Sequence, residues 1–254
     1  MKIIDLSVTL ENDAAWAPRY ARNSVKHQSH AFGAWVVRWL FGVKKRHLHT
    51  GLGWANDTIK LSTHGTTHVD APWHYAPTSE GRPARTIDEV PLAWCYGPGV
   101  RLDMRACPVD RPISTADLEA ALAAVGHTLR PGEIVLIQTG NDRLLGSPQY
   151  FGQGPGVSAE ATRWLCDQGI KLMGIDAWGW DAPLRKQAAE ALATDRNDVF
   201  WAAHYVGVDK EYCQIERLTN LAALPPHGFT ICAFPLKVKR GSAGPARVVA
   251  IINE

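Results

Sequence analysis

One short segment carries the residues best suited to chemistry. Between His64 and His74 the chain places three histidines and one aspartate within 11 residues: His64, His68, Asp70 and His74. Imidazole and carboxylate ligands together suit Zn²⁺ or Mn²⁺, and the absence of a nearby cysteine argues against a structural thiolate zinc site. The same residues could instead form a polar turn whose histidines bond to backbone carbonyls. The residue types alone leave both interpretations open.

The spacing within this segment indicates how its side chains could converge. Gly65, three β-branched residues and Pro72 make a helix unfavourable, so we expect a shaped loop over residues 62–74. In an extended piece of chain, His68 and Asp70 at positions i and i+2 point to the same side. These two side chains are therefore ready to share one ion.

The elements that must position this segment indicate a mixed α/β fold. Ser114 and Asp117 fit the Ser/Thr-x-x-acid pattern of a helix start, and Gly169 is a typical stop after a helix that begins at Ser158. Residues 14–56 are interpreted as an aromatic-rich excursion, and residues 205–214 are left unassigned. We predict strands over 2–10, 58–61, 133–138, 170–175, 229–234 and 246–252, and helices over 34–41, from 114 to about 126, and over 158–168.

These elements follow no strict βαβ rhythm, and the chain shows no repeat, no Gly-rich phosphate loop and no linker. A single α/β domain over residues 1–254 is therefore expected, with a mixed sheet and flanking helices.

Composition excludes several classes of protein. The 254 residues carry 27 basic and 25 acidic side chains, a net charge of +2, so no nucleic-acid partner is indicated. The apolar runs fall far short of the roughly 18 residues of a membrane span. The first residues lack a basic region followed by an apolar one, so we expect a cytoplasmic protein with no membrane partner. The five cysteines show no C-x-x-C spacing and are expected to be free thiols.

The segment resembles the His-x-Gly-Thr-His-x-Asp-x-Pro-x-His signature of the cyclase family of metal-dependent hydrolases, which includes kynurenine formamidase, isatin hydrolase and trans-dienelactone hydrolase. Here it reads HGTTHVDAPWH, with Gly65 one position early and Thr66 in the usual glycine place. Other motifs resemble the family in the same order along the chain. They are Ile4-Asp5-Leu6-Ser7, Val135-Leu136-Ile137-Gln138-Thr139-Gly140 with Gln138 in place of the usual Arg, Gly174-Ile175-Asp176, Ile215-Glu216-Arg217-Leu218-Thr219-Asn220-Leu221, and Gly244-Pro245-Ala246-Arg247.

The resemblance implies a metal site and its ligands. By this resemblance His64, His68 and Asp70 bind one divalent metal, and Asp70 can bridge to a second. His204 and Glu216 add ligands at the second position, so the expected cofactor is one or two ions of Zn²⁺ or Mn²⁺ per chain. Two carboxylates and three imidazoles together could neutralise and hold a pair of dications.

His74 occupies the position of the family's general base. A metal lowers the pKa of its bound water to about 7, and a neighbouring imidazole can then take the proton. The alternative for His74 is a ring packed against Trp73 and Tyr75. Alternatives also remain for His204, as a core imidazole, and for Glu216, as a surface carboxylate.

Further residues near these motifs have two interpretations each. Asp176 is either a turn residue at a strand end or an orienter of a metal-bound histidine. Trp178 and Trp180 are expected to wall a pocket, because loops at strand ends often line sites. The tryptophans of the excursion, Trp35, Trp39 and Trp54, either wall a substrate pocket or pack in a subunit interface, and the interface is the favoured interpretation.

The resemblance implies a swivelling β/β/α-like fold and a homodimer or homotetramer. The expected activity is metal-dependent hydrolysis that opens a small-molecule cyclic amide or lactone by attack of activated water on the carbonyl. An arylformamidase acting on N-formylkynurenine is the alternative within enzymes. A non-catalytic metal- or ligand-binding homologue is the alternative of another class, and it is less favoured because His74 and all five ligand candidates are present.

Overall fold

A computed structural model describes residues 1–14 and 22–253 of the chain. They form two compact units, one made of Met1–Thr9 with Thr63–Glu254 and the other of Leu10–Ser62. The excursion predicted at 14–56 falls within the second unit, although its Trp16 and Tyr20 lie outside the described residues.

The described residues form strands and α-helices in mixed order, which confirms the predicted α/β class. The strands are β1 (Lys2–Asp5), β2 (Ser24–Gln28), β3 (Asn56–Lys60), β4 (His68–Asp70), β5 (Thr78–Ser79), β6 (Arg82–Pro83), β7 (Tyr96–Asp103), β8 (Ile134–Gln138), β9 (Leu172–Ile175), β10 (Cys213–Glu216), β11 (Phe229–Cys232), β12 (Ala243–Pro245) and β13 (Val249–Ile252). The helices are α1 (His30–Phe41), α2 (Pro72–Tyr75), α3 (Thr115–Ala124), α4 (Ala159–Asp167) and α5 (Leu184–Thr194). No helix in the described part of the chain is long and apolar enough to cross a bilayer.

The first unit is built on a nine-stranded mixed sheet in the order β1-β13-β11-β7-β8-β9-β10-β4-β12. Strands β7, β8, β9 and β10 run parallel, and the remaining pairs in this sheet are antiparallel. The carboxyl ends of β8, β9 and β10 therefore meet at one edge. β4 pairs on the far side of β10, which brings the histidine-rich segment next to that edge.

The parallel centre of the sheet is buried on both faces. All five residues of β8 are buried, with Val135 and Ile137 in one hydrophobic cluster and Ile134 and Leu136 in the other. A parallel strand covered on both faces is continuously apolar rather than alternating, which is why the 133–138 pattern predicts it. The sheet thus provides a rigid frame for the side chains at its carboxyl edge.

The predicted helix starts are confirmed. Ser114 caps α3 in a capping box. Its hydroxyl accepts a hydrogen bond from the backbone N–H of Asp117, and the Asp117 carboxylate accepts one from the backbone N–H of Ser114. Ser158 caps α4 through the backbone N–H of Ala161. Strand β7 and helix α5 lie where no element is predicted, and the unassigned 205–214 contains the start of β10.

The second unit contains the antiparallel pair β2–β3 and helix α1. Ser29 caps α1, so the helix begins four residues before the predicted 34–41. The rings of Phe32, Trp35 and Trp39 stack in a row, with centroids 5.5 and 6.5 Å apart, and all three are exposed. The helix therefore presents an aromatic face.

Candidate metal centre

Strand β4 positions the first two ligand candidates. Its extended backbone places His68 and Asp70 on the same side, as their spacing predicts, with His68 Nε2 3.2 Å from Asp70 Oδ1. Glu216 ends β10 directly opposite His68 in the strand pairing, and its Oε2 lies 3.6 Å from His68 Nε2. Sheet register therefore brings together residues that are far apart in sequence.

His64 and His74 reach the same carboxylate from either end of β4. His64 Nδ1 lies 2.9 Å from Asp70 Oδ1 and 3.3 Å from His68 Nε2. On the other side, Pro72 begins the one-turn helix α2, because its fixed φ suits the first helical position. That turn places His74 Nε2 4.0 Å from Asp70 Oδ2.

His204 completes the cluster from a 3₁₀ turn, His204–Val208. Its Nε2 lies 4.0 Å from Asp70 Oδ2 and 3.6 Å from Glu216 Oε1. The other five site residues predicted from the sequence therefore gather around the Asp70 carboxylate. Two sets of three candidate ligand atoms each lie within 4.8 Å of one another, namely those of His64, Asp70 and His74 and those of His68, Asp70 and Glu216.

The Asp70 carboxylate is fully buried, yet neither oxygen accepts a hydrogen bond of acceptable geometry from the residues that the structure describes. Burial would raise its pKa, but the imidazoles of His74, His68 and His64 outweigh burial and hold the pKa well below its usual range. A buried charge without hydrogen bonds is costly unless another charge compensates it. A dication bound between this carboxylate and the surrounding imidazoles fits that requirement.

His68 is held in the tautomer that a metal ligand needs. Its Nδ1 lies 2.6 Å from the carbonyl oxygen of Thr66, so this nitrogen donates its proton to the backbone. The lone pair is then on Nε2, which faces Asp70 and Glu216. Such a backbone carbonyl is a common outer partner of metal-bound histidine. His68 therefore makes the contact with a backbone carbonyl that a polar turn would give, and it also has the geometry of a metal ligand.

Asp181 orients His204 and was not identified from the sequence. Its Oδ2 lies 2.5 Å from His204 Nδ1, and its carboxylate also accepts the backbone N–H groups of Ala203 and His204 at 2.9 and 3.1 Å. Burial lowers the pKa of His204, but Asp181 outweighs burial and the net shift is upward. This contact directs Nε2 of His204 toward Asp70 and Glu216.

Asp176, which the sequence left open as an orienter, is a turn residue. Its two oxygens accept hydrogen bonds from Thr139 N, Thr139 Oγ1 and Gly140 N at 2.7, 2.6 and 2.8 Å. These bonds tie the end of β9 to the end of β8. Burial raises the pKa of Asp176 to about 6 despite these bonds.

Replacing Asp181 by asparagine is expected to weaken metal binding and to lower kcat/KM about 10- to 100-fold, the range typical of outer-shell partners of metal-bound histidines. Asparagine keeps the size of the side chain but removes the charge that fixes the ring of His204. Metal titration and steady-state kinetics check this. Asp209→Asn is the matched control, because Asp209 is an exposed partner of Arg163. Unchanged metal affinity and turnover in Asp181→Asn would rule out the orienting role.

The environment of His74 keeps its imidazole neutral. Burial lowers its pKa to about 3, and the neighbouring imidazoles of His64 and His204 add to this effect against the pull of Asp70. Its ring makes an edge contact with Trp201, with the centroids 4.9 Å apart. A neutral imidazole 4.0 Å from Asp70 Oδ2 can accept a proton from a group bound beside it.

The prediction that Trp180 walls a pocket is wrong. Trp180 is fully buried in the core, where its indole N–H donates to Thr162 Oγ1 at 2.8 Å, so its side chain does not wall a pocket. Its backbone N–H instead donates to Glu216 Oε1 at 2.8 Å and fixes that carboxylate. Trp178 is half-buried and remains at the edge of the sheet.

Trp201 is a site residue that the sequence analysis did not identify. Its ring stacks on that of His204 with the centroids 4.5 Å apart, in addition to its contact with His74. Its backbone φ of 62° is in the left-handed region, which is uncommon for a tryptophan. The sequence signal was an aromatic residue three positions before His204.

The pKa values of the two carboxylates at the centre shift in opposite directions, downward for Asp70 and upward for Glu216. Burial raises the pKa of Glu216, and the nearby Asp70 carboxylate raises it further. Burial lowers the pKa of His64, but Asp70 outweighs burial and raises it. The Arg217 guanidinium opposes both of these net shifts. The cluster therefore concentrates negative charge on Asp70.

Residues 4–182 match the family model described as "Putative cyclase". A kynurenine formamidase of Salinibacter ruber is 28% identical over 214 residues, which cover 84% of this chain and 86% of that protein. An isatin hydrolase of Roseibium aggregatum is 27% identical over 201 residues, covering 76% of this chain and 73% of that protein. The solved structure of isatin hydrolase A from Labrenzia aggregata, bound to benzyl benzoate, has a TM-score of 0.74 at 26% identity and covers 100% of this chain and 94% of that one.

Proposed function

This chain belongs to the cyclase family, and from that premise we propose that it is a divalent-metal-dependent hydrolase that opens a small cyclic amide or lactone. The hydrolase relatives support the reaction type. The observation that carries the proposal is the fully buried Asp70 carboxylate, which lies within 4.0 Å of a ring nitrogen of His64, His68, His74 and His204. That arrangement fits a site that holds metal.

We propose that His64, His68 and Asp70 hold one ion of Zn²⁺ or Mn²⁺ and that Asp70, His204 and Glu216 hold a second. When bound, such an ion lowers the pKa of water and polarises a carbonyl oxygen. Imidazole and carboxylate donors serve both metals. His64, Asp70 and His74 also offer candidate ligand atoms within 4.8 Å of one another. Whether His74 acts as a base or as a metal ligand is therefore a question that a His74 variant can test.

The proposed catalytic step depends on His74. Its neutral imidazole accepts a proton from the attacking water as the water oxygen bonds to the carbonyl carbon. The imidazole then returns this proton to the ring nitrogen or oxygen as the bond from that atom to the carbonyl carbon breaks. The product is the ring-opened carboxylic acid, and His74 ends the cycle neutral. Asp181 holds the ring of His204, and the backbone N–H of Trp180 holds Glu216. Trp201 packs against the imidazoles of His74 and His204.

An arylformamidase is the second candidate. The kynurenine formamidase relative, similar over 84% of this chain, favours it. Metal-reconstituted protein should be assayed on isatin, an aryl lactone, N-formylkynurenine and formanilide in parallel. We expect kcat/KM for a cyclic substrate to exceed that for either formamide at least tenfold. A higher kcat/KM for a formamide would favour the arylformamidase. Hydrolysis of none of the four substrates would favour the non-catalytic homologue.

We also propose assembly as a homodimer or homotetramer. The exposed rings of Phe32, Trp35 and Trp39 form a contiguous aromatic face, and exposed apolar patches of this kind commonly mark interfaces. Light scattering on the full chain should give a mass of two or four copies, and a monomer at micromolar concentration would contradict this.

A further inference from the structure

The segment that carries Trp201 and His204 begins with an unusual backbone. The φ of 62° at Trp201 lies in the left-handed region, and a bulky residue stays there only where surrounding contacts hold it. Asp181 fixes the middle of the segment by accepting the backbone N–H groups of Ala203 and His204. The contact that holds the backbone at Trp201 comes from a different element, helix α5.

Gln187 of α5 binds the backbone at Trp201. Its Oε1 accepts the Trp201 N–H at 2.5 Å, and its Nε2 donates to the Ala182 carbonyl. A backbone N–H only donates and a carbonyl only accepts, so the two contacts need an acceptor and a donor on one side chain. An amide supplies both groups. The side chain is well placed to act as a fixed link, because only 5% of Gln187 is exposed.

Gln187 is also the one buried residue of α5, all of which the structure describes. A helix on the surface of a domain is ordinarily attached through an apolar stripe. Here the buried contact is polar, and it binds the chain on both sides of the helix, at Ala182 before it and at Trp201 after it. The burial of Gln187 is therefore explained by its backbone contacts rather than by packing in the core.

Trp201 transmits this contact to the candidate metal centre. Its ring stacks on the imidazole of His204 with the planes 18° apart, and it meets the imidazole of His74 edge-on at 85°. Asp181 bonds to Nδ1 of His204 and so fixes the direction of the ring within its plane. The stacked indole limits the tilt of that plane. Asp181 and Trp201 therefore restrain different motions of one imidazole.

A cavity of about 300 Å³ lies beside Gln187 and is also lined by Asp181, Ala182 and Ala202. A polar cavity of this size has room for water. A short side chain at position 187 would let water replace the lost acceptor of the Trp201 N–H. Methionine is the better test substitution, because it fills a similar volume and offers only a weak acceptor.

We propose that Gln187 is a positioning residue of the candidate metal centre. By accepting the Trp201 N–H, it holds the Trp201 indole on the imidazole of His204 and beside that of His74. Its effect on hydrolysis rests on the proposed function. The contact itself belongs to the protein without metal, so it can be measured independently of activity.

Fluorine NMR of metal-free protein labelled with 5-fluorotryptophan measures the position of Trp201. Trp201→Phe identifies the Trp201 resonance by its loss. Gln187→Met should displace that resonance by more than its line width and leave the other tryptophan resonances in place. Gln187→Glu keeps an oxygen for the Trp201 N–H and should retain the wild-type resonance. It should nevertheless lower Tm, because the Ala182 carbonyl loses its donor.

Ala189→Gly is the matched control for a merely structural role. Ala189 is exposed in the same helix, and glycine there weakens α5 through helix propensity alone. This variant should lower Tm without moving the Trp201 resonance. The positioning role would be overturned by an unmoved resonance in Gln187→Met, or by an equal displacement in Ala189→Gly or in Gln187→Glu.

Kinetics of the metal-loaded protein give the second readout. Gln187→Met should lower kcat about five- to tenfold, the effect expected for loss of one hydrogen bond, while the metal content stays unchanged. Gln187→Glu should restore kcat. If the wild-type protein hydrolyses a panel substrate and Gln187→Met keeps the full kcat, the inference fails. A displaced Trp201 resonance in a protein that hydrolyses no panel substrate would instead refute the proposed function and leave the contact with Trp201 established.

Discussion

Replacement of Asp70 by asparagine is expected to remove metal binding and turnover together. This carboxylate lies within 4.0 Å of a ring nitrogen of four histidines at the centre, His64, His68, His74 and His204. The loss in kcat/KM should exceed the roughly 100-fold upper range for an outer-shell partner, because a direct ligand is lost.

The same variant should be less stable than the wild-type protein when both are metal-free. The surrounding imidazoles hold the pKa of Asp70 well below its usual range, so the folded protein favours the charged carboxylate, and a neutral amide loses that interaction. Added metal at about 100 times its Kd should stabilise the wild-type protein by about 2.7 kcal/mol and leave Asp70→Asn unchanged. Thermal melts with and without metal check both points. Metal-induced stabilisation of Asp70→Asn would contradict the central role of this residue.

Replacement of His74 by alanine is expected to lower kcat about 10²- to 10⁴-fold while the metal content stays unchanged. The reason is that His74 supplies a neutral imidazole beside Asp70 but is not needed to hold the ions. Added imidazole should restore part of the turnover. Steady-state kinetics and elemental analysis on the same samples measure the two effects.

His227→Ala is the matched control for this variant, because His227 is exposed and stacks on His127 away from the metal centre. Retained turnover in His74→Ala would exclude the base role. Loss of metal together with turnover would instead make His74 a ligand, in the set that it forms with His64 and Asp70.

The site could be predicted from the sequence where its residues are close along the chain. The i and i+2 spacing of His68 and Asp70 requires only an extended backbone to place both side chains together, and β4 provides it. His204 and Glu216 were predicted only through the family resemblance, since no local pattern links them to β4. Glu216 reaches the site through the pairing of β10 with β4, and His204 reaches it from a 3₁₀ turn.

Asp181 could not be predicted because its role depends on a contact across 23 residues of chain. It meets His204 through a loop and a 3₁₀ turn, neither of which has a periodic signature. Asp176 was the more obvious carboxylate, since it ends a recognised strand motif, yet that position directs it to the backbone of Thr139 and Gly140.

Strand β7 and helix α5 were not predicted, each for a different reason. Strand β7 contains Gly97, Pro98 and Gly99, which are typical of a turn. In the structure a Cβ at Gly99 would lie 2.1 Å from the ring of Phe229, so glycine permits the close approach of β11. Helix α5 buries only Gln187 among its residues and so lacks the apolar stripe that reveals a helix in a sequence.

The metal content per chain of the wild-type protein tests the proposed centre most directly. The protein should be purified without a chelator or a metal-affinity tag and measured by elemental analysis beside His68→Ala and Asp70→Asn. We predict one to two equivalents of zinc or manganese in the wild-type protein and a loss of metal in both variants. A wild-type protein that holds no metal, even after reconstitution with Zn²⁺ or Mn²⁺, would contradict the metal centre and the hydrolase mechanism built on it.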